Sequence, residues 1–137
     1  MAIQMSTASR TAQAQAHETE IGTGPLLRIR TGAPPANCAA ARTGTILVTM
    51  TLPVDWATIS NGQLSRLGTW EDLTADDTGT AGHYEIMDSA GTTCHEQGTV
   101  TGTTPGTGDV VLQQVNADIV SGQRVYVDTW SRTWPGA

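Results

Sequence analysis

Lysine and phenylalanine are missing from these 137 residues, so every fixed positive side chain is one of seven arginines. Charged residues make up only 15% of the chain, against about 25% in an ordinary soluble domain. There are two cysteines, Cys38 and Cys94, too few for a disulfide scaffold. In a protein made in the cytoplasm they are expected as reduced, buried thiols. No segment nears the roughly 18 consecutive apolar residues of a membrane helix. Residues 1–20, MAIQMSTASRTAQAQAHETE, lack the continuous apolar core of a signal peptide, so secretion by that route is not expected. Neither a heptad pattern nor a Gly-X-Y period is present, which excludes a coiled coil and a collagen-like fibre.

What remains is β-branched and glycine-punctuated, with 23 Thr and 15 Gly. Such a composition reads as all-β, and the length suits one domain. The net charge of −6 argues against nucleic acid as a partner, because a phosphate backbone would be repelled. Residues 1–66 carry five Arg and three acids, whereas residues 67–137 carry two Arg and ten acids. The acidic half reads as a solvated face. The asymmetry would also serve head-to-tail association or docking on a basic surface.

Residues 2–20 contain no Gly or Pro, and Gly22 and Gly24 follow as stop signals. Ile3, Met5, Ala8, Ala12 and Ala16 form a loose apolar set, so a short helix or a free arm is expected over 1–21. Residues 22–137 then form the domain. In Leu27-Arg28-Ile29-Arg30 the apolar side chains face one way and both arginines the other. Adjacent prolines make 31–41 a loop. The run from Ile46 to Leu52 is the clearest strand, ended by Pro53. Asn61-Gly62 between two strand-like runs predicts a type I′ hairpin, whose central residues both need positive φ. A second hairpin is expected about Ser89-Ala90-Gly91, and strands over 109–115 and 124–134 complete the set. About eight short strands with turns between them suggest an antiparallel β-sandwich or barrel.

The chemistry-bearing residues do not assemble into a recognisable catalytic or metal pattern. Cys94 and His95 are adjacent, so in a regular strand they point to opposite faces and cannot both ligate one metal. Cys94 with His83 lacks the strand-turn-helix setting of a nucleophile. The acids Glu71, Asp72, Asp76, Asp77 and Glu85 have no spacing that marks a carboxylate pair. Asp76-Asp77-Thr78-Gly79 reads as a turn rather than a calcium loop. The glycine pairs do not lie between a strand and a helix, so no phosphate cradle is expected. No enzyme and no cofactor follow from these residues.

The last strand is more informative. By alternation, Val125, Val127, Thr129, Ser131 and Thr133 share one face, and Tyr126, Asp128, Trp130, Arg132 and Trp134 the other. With the valines inward, Tyr126, Trp130, Arg132 and Trp134 form an outward stripe of the residue types enriched at protein interfaces. The reverse assignment makes the aromatics core, and the same stripe would also suit a sugar ring. Arg28 and Arg30 are a second contact candidate.

The succession LLRIRTGAPPANCAAARTGTILVTMTLP (26–53), TADDTGTAGHYEIMDSAGTTCHEQGTV (74–100) and DVVLQQVNADIVSGQRVYVDTW (109–130) resembles small virion proteins of tailed bacteriophages. In particular it is similar to cement, or decoration, proteins on the outside of HK97-like capsids. The likeness spans roughly residues 22–130 and departs from the pattern over 54–70, where WATISNGQLSRLG replaces a more Ala/Gly-rich stretch. It implies a jelly-roll or related sandwich and a structural role without catalysis. The implied partners are the major capsid protein and further copies of the chain as a dimer or trimer, with no nucleic acid and no membrane. The implied location is the capsid exterior, after synthesis in the host cytoplasm. The implied contacts are residues 1–20 with Arg28, Arg30, Tyr126, Trp130, Arg132 and Trp134. The alternatives from the same residues are a tail, fibre or vertex module and a carbohydrate-binding sandwich.

Overall fold

The computed structural model describes residues 3–134. One helix, α1 (Thr7–Ile21), precedes ten strands. Ser6 caps it, its hydroxyl accepting the Ser9 N–H at 3.1 Å. Gly22, at φ 89°, ends it and donates its N–H to the Glu18 carbonyl at 3.0 Å. The buried stripe of α1 is Arg10, Ala14 and Ile21, with His17 half-buried between them. The small apolar set read from the sequence faces the other way: Ala8, Ala12 and Ala16 are exposed. The segment is therefore a docked helix rather than a free arm.

The strands are β1 (Leu26–Thr31), β2 (Ile46–Thr51), β3 (Ala57–Ser60), β4 (Gln63–Arg66) and β5 (Glu71–Asp72). There follow β6 (Gly79–Met87), β7 (Cys94–Thr101), β8 (Val110–Leu112), β9 (Asp118–Ile119) and β10 (Val125–Thr133). They hydrogen-bond in the order β2-β1-β6-β7-β8-β10-β4-β3, with β5 on β10 and β9 on β6. The pairs are antiparallel apart from β7 with β8.

The sheet curls back on itself. The outer edge of β2 meets residues 72–76, where the Thr49 N–H donates to Asp72 Oδ2 at 3.2 Å and the Asp76 N–H to the Leu47 carbonyl at 2.8 Å. Asp72 itself belongs to β5, on the far half of the sheet. The result is the all-β, sandwich-like fold with an N-terminal helix expected from the composition, the strand-and-turn pattern and residues 2–20.

The β3–β4 turn is as the sequence requires, with Asn61 at φ 51° and Gly62 at φ 75°. A Cβ on Gly62 would stand 2.6 Å from Arg10 Cβ, so the turn is also the seat on which α1 rests. Ala14, Ile21, Leu27, Ile29, Val48, Met50, Leu64, Ile86 and Leu112 join one apolar cluster. At its centre lie Trp56, Trp70 and Trp130, with ring centroids 6.0, 5.7 and 5.1 Å apart.

Strand β10 departs from simple alternation. Its register on β8 pairs Val127 with Leu112 and Thr129 with Val111, and it shifts by a bulge between them. Asp128 and Thr129 are both exposed, and Trp130 returns to the face of Val125 and Val127. At 3% exposure Trp130 is core, not part of an outward stripe. One inserted residue reverses the facing of all that follow it.

Candidate contact surface

A buried carboxylate joins the helix to the last strand. Glu96, on β7, is 6% exposed. Its Oε1 accepts from His17 Nε2 at 2.9 Å. Its Oε2 accepts from the Tyr84 hydroxyl at 2.6 Å and from the Trp130 indole N–H at 3.0 Å. Burial acts to raise the carboxyl pKa, but the hydrogen bonds from His17, Tyr84 and Trp130 outweigh it and hold Glu96 below the ordinary carboxylate range. For Tyr84, burial and then the Glu96 charge both push the phenol pKa upward. The group is a satisfied core network: every polar atom that reaches it is matched.

Outside this network, β10 carries its exposed side chains at one end. Arg132 is 56% exposed, with Nε 3.8 Å from Glu96 Oε1 and its guanidinium 5.6 Å from the Trp134 ring centroid. Trp134 is half-buried, its ring centroid 5.5 Å from that of His17 and the two planes tilted by 60°. Its backbone N–H donates to the Gly62 carbonyl at 3.0 Å. Arg132 and Trp134 thus share one rim with the exposed part of α1 and the Asn61-Gly62 turn. Close by, Ser65, Arg66, Asp128, Thr129, Trp130 and Ser131 line an open cleft of about 300 Å³ beside the bulge.

The other sequence candidates do not join this rim. Tyr126 is half-buried at the far end of β10 beneath the Arg124 guanidinium, 3.8 Å from its ring centroid, and Arg124 is held by Glu71 at 2.6 Å. Arg28 is half-buried, with Nη1 3.5 Å from the Gly91 carbonyl in the β6–β7 turn. Arg30 retains 11% side-chain exposure and donates through Nε to Glu85 Oε1 at 2.9 Å. Arg30 is thereby tied to its own sheet. Three of the four tryptophans face the core, which removes most of the surface on which a sugar ring would stack.

Sequence reasoning named Glu85 only among acids without a pairing pattern and missed its role: it is fully buried between Arg30 and Arg42. It also missed His17 and Glu96. The signal available for His17 was the Arg10, Ala14, His17, Ile21 spacing, which marks one helical face. The cysteines, expected to be buried, are both half-exposed. Among the described residues no group of three or more His, Cys, Asp or Glu is placed to hold a metal ion. No described helix is long and apolar enough to cross a membrane. Comparison with protein-family models, with curated proteins and with solved structures found no match in any of the three.

Proposed function

We propose that the protein is a structural virion protein that binds the outer surface of a phage capsid and stabilises it by bridging capsomers. The phage-like succession over residues 22–130 supports this reading. The observation that carries it is the rim at the end of β10, where an exposed Arg132 and a half-exposed Trp134 are braced by α1 and the β3–β4 turn. Arg and Trp on a rigid support are what a contact surface needs, since little side-chain freedom is lost on docking. The mechanism is multivalent: modest contacts from each copy, repeated over a symmetric oligomer, give an avidity no single contact has. Binding the assembled shell alone stabilises that shell by mass action.

The test is co-sedimentation of the purified protein with capsid shells devoid of it, with copies per particle counted by quantitative gel. Saturation at a number set by the shell lattice, with raised heat resistance of the particle, is expected. A handful of copies per particle would move the protein to a vertex or tail, and no binding would remove the capsid reading.

A further inference from the structure

Residues 32–45, between β1 and β2, lie across the outer face of β6 and β7. His83 Nδ1 donates to the Gly32 carbonyl at 2.9 Å, and Gln97 Nε2 to the Pro35 carbonyl at 2.7 Å. A Cβ on Gly82 would sit 2.0 Å from the Gly32 oxygen, so the segment lies flush on β6. Its centre is organised by Arg42. Nη2 donates to the carbonyls of Asn37, Ala40 and Cys38 at 2.8, 3.0 and 3.1 Å. Nη1 is 3.1 Å from Glu85 Oε2 and 3.1 Å from Gln97 Oε1. A fully buried carboxylate on β6 thereby fixes the loop through one guanidinium.

The same guanidinium presents two thiols to each other. A shift of register between Ile86 and Met87 pairs Met87 with Cys94, so that Cys94 shares the outer face with Glu85 and Gln97 while Glu96 points to the core. The Cys94 Sγ–H donates to Cys38 Sγ at 2.8 Å, across 56 residues of chain. Arg42 Nη1 lies 3.4 Å from Cys94 Sγ. Both cysteines are partly accessible.

We propose that Cys38 and Cys94 are a dithiol–disulfide couple whose oxidation by a small-molecule disulfide staples the 32–45 loop to β7. Burial, and next the hydrogen bond with Cys38, push the Cys94 thiol up to about 12. Cys38, which accepts the Cys94 S–H, opens the exchange. Its thiolate attacks one sulfur of the reagent RSSR, forming a mixed disulfide and releasing RS⁻. Cys94 sulfur then attacks Cys38 sulfur, its proton passing to RS⁻ by way of solvent, and the second RS⁻ leaves with the proton Cys38 gave up. The sum is two protein thiols plus RSSR giving one protein disulfide plus two RSH. The Arg42 guanidinium favours the thiolate that develops on Cys94, and the two sulfurs already lie in contact. The chemistry does not depend on which surface the protein binds.

Reduced full-length protein is incubated with oxidised glutathione, quenched with a maleimide and weighed intact. The expected product is a monomer lighter by two hydrogens, with no maleimide and no glutathione attached. Cys94→Ser and Cys38→Ser are each expected to stop at a glutathione adduct on the remaining cysteine, neither losing two hydrogens. The oxidised protein should melt several degrees above the reduced one. Wild-type protein that retains two maleimide-reactive thiols, or that accumulates glutathione adducts or disulfide-linked dimers, would overturn the proposal.

Discussion

Trp130 donates its indole N–H to Glu96 at 3.0 Å, so the largest side chain of the last strand is held by the carboxylate that also anchors the N-terminal helix through His17. Packing and polarity meet at this one bond. Trp130 is both a member of the three-tryptophan core and one of the partners that keep a buried charge satisfied.

Trp130→Ala is expected to lose about 3–5 kcal/mol of stability through cavity formation. Trp130→Phe keeps most of the volume but removes a donor to Glu96, costing about 1–3 kcal/mol. Urea unfolding monitored by circular dichroism distinguishes the two. A Trp130→Ala protein as stable as wild type would contradict the core assignment.

Stability should fall in acid with a component that belongs to Glu96. Its folded pKa is depressed, so its contribution is present above the unfolded carboxyl value of about 4.3 and is lost as pH falls through the lower folded value. Tyr84 acts with the opposite sign. Its folded pKa is raised, so its contribution is complete below the unfolded value of about 10 and is lost as pH rises above it. Urea midpoints measured from acid to alkaline pH for wild type, Glu96→Gln and Tyr84→Phe should show the acid slope reduced in the first variant and the alkaline slope reduced in the second.

Gly62→Ala is expected to cost about 1–2 kcal/mol, because a side chain is placed at φ 75° and against Arg10. The same change should loosen α1, seen as faster amide exchange over residues 7–21 than over β6 and β7. Equal exchange rates in wild type and variant would show that the turn is not the helix seat.

Arg132→Ala should leave the urea midpoint within the small range of an ordinary surface change, about 0.5 kcal/mol, while reducing copies bound per shell in co-sedimentation. Trp134→Ala should do the same with a modest stability cost, since its ring packs beside His17. Unchanged shell binding in both variants would move the contact surface away from this rim.

Local rules carried much of the fold. The Asn61-Gly62 turn, the inward Leu27 and Ile29 with outward arginines, and the β6–β7 hairpin all follow from residues close together in the chain. Period-two reasoning on the last strand held as far as Val127 and then failed, because nothing in Val127-Asp128-Thr129 announces a bulge. The Glu96 network was illegible for a different reason. His17 and Trp130 lie 79 and 34 residues from Glu96, and only the tertiary fold brings them together. Glu85 belongs to the same class, a carboxylate matched by arginines 55 and 43 residues away.

The place of β10 in the sheet bears on how the chain acquires its fold during synthesis. It is the last strand to leave the ribosome among those described, yet it pairs with β4, β5 and β8 near the middle of the strand order. Until it emerges, the β3–β4 hairpin has no sheet to join, β8 keeps an open edge and Glu96 lacks its indole donor. A nascent chain stalled before residue 125 would hold only the β2-β1-β6-β7-β8 side of the sheet, with β9 on β6, and expose unpaired edges to neighbouring chains. Productive folding is therefore expected to be a late, nearly all-at-once event after translation, and premature truncations should be cleared by proteolysis or aggregate rather than persist as partial domains.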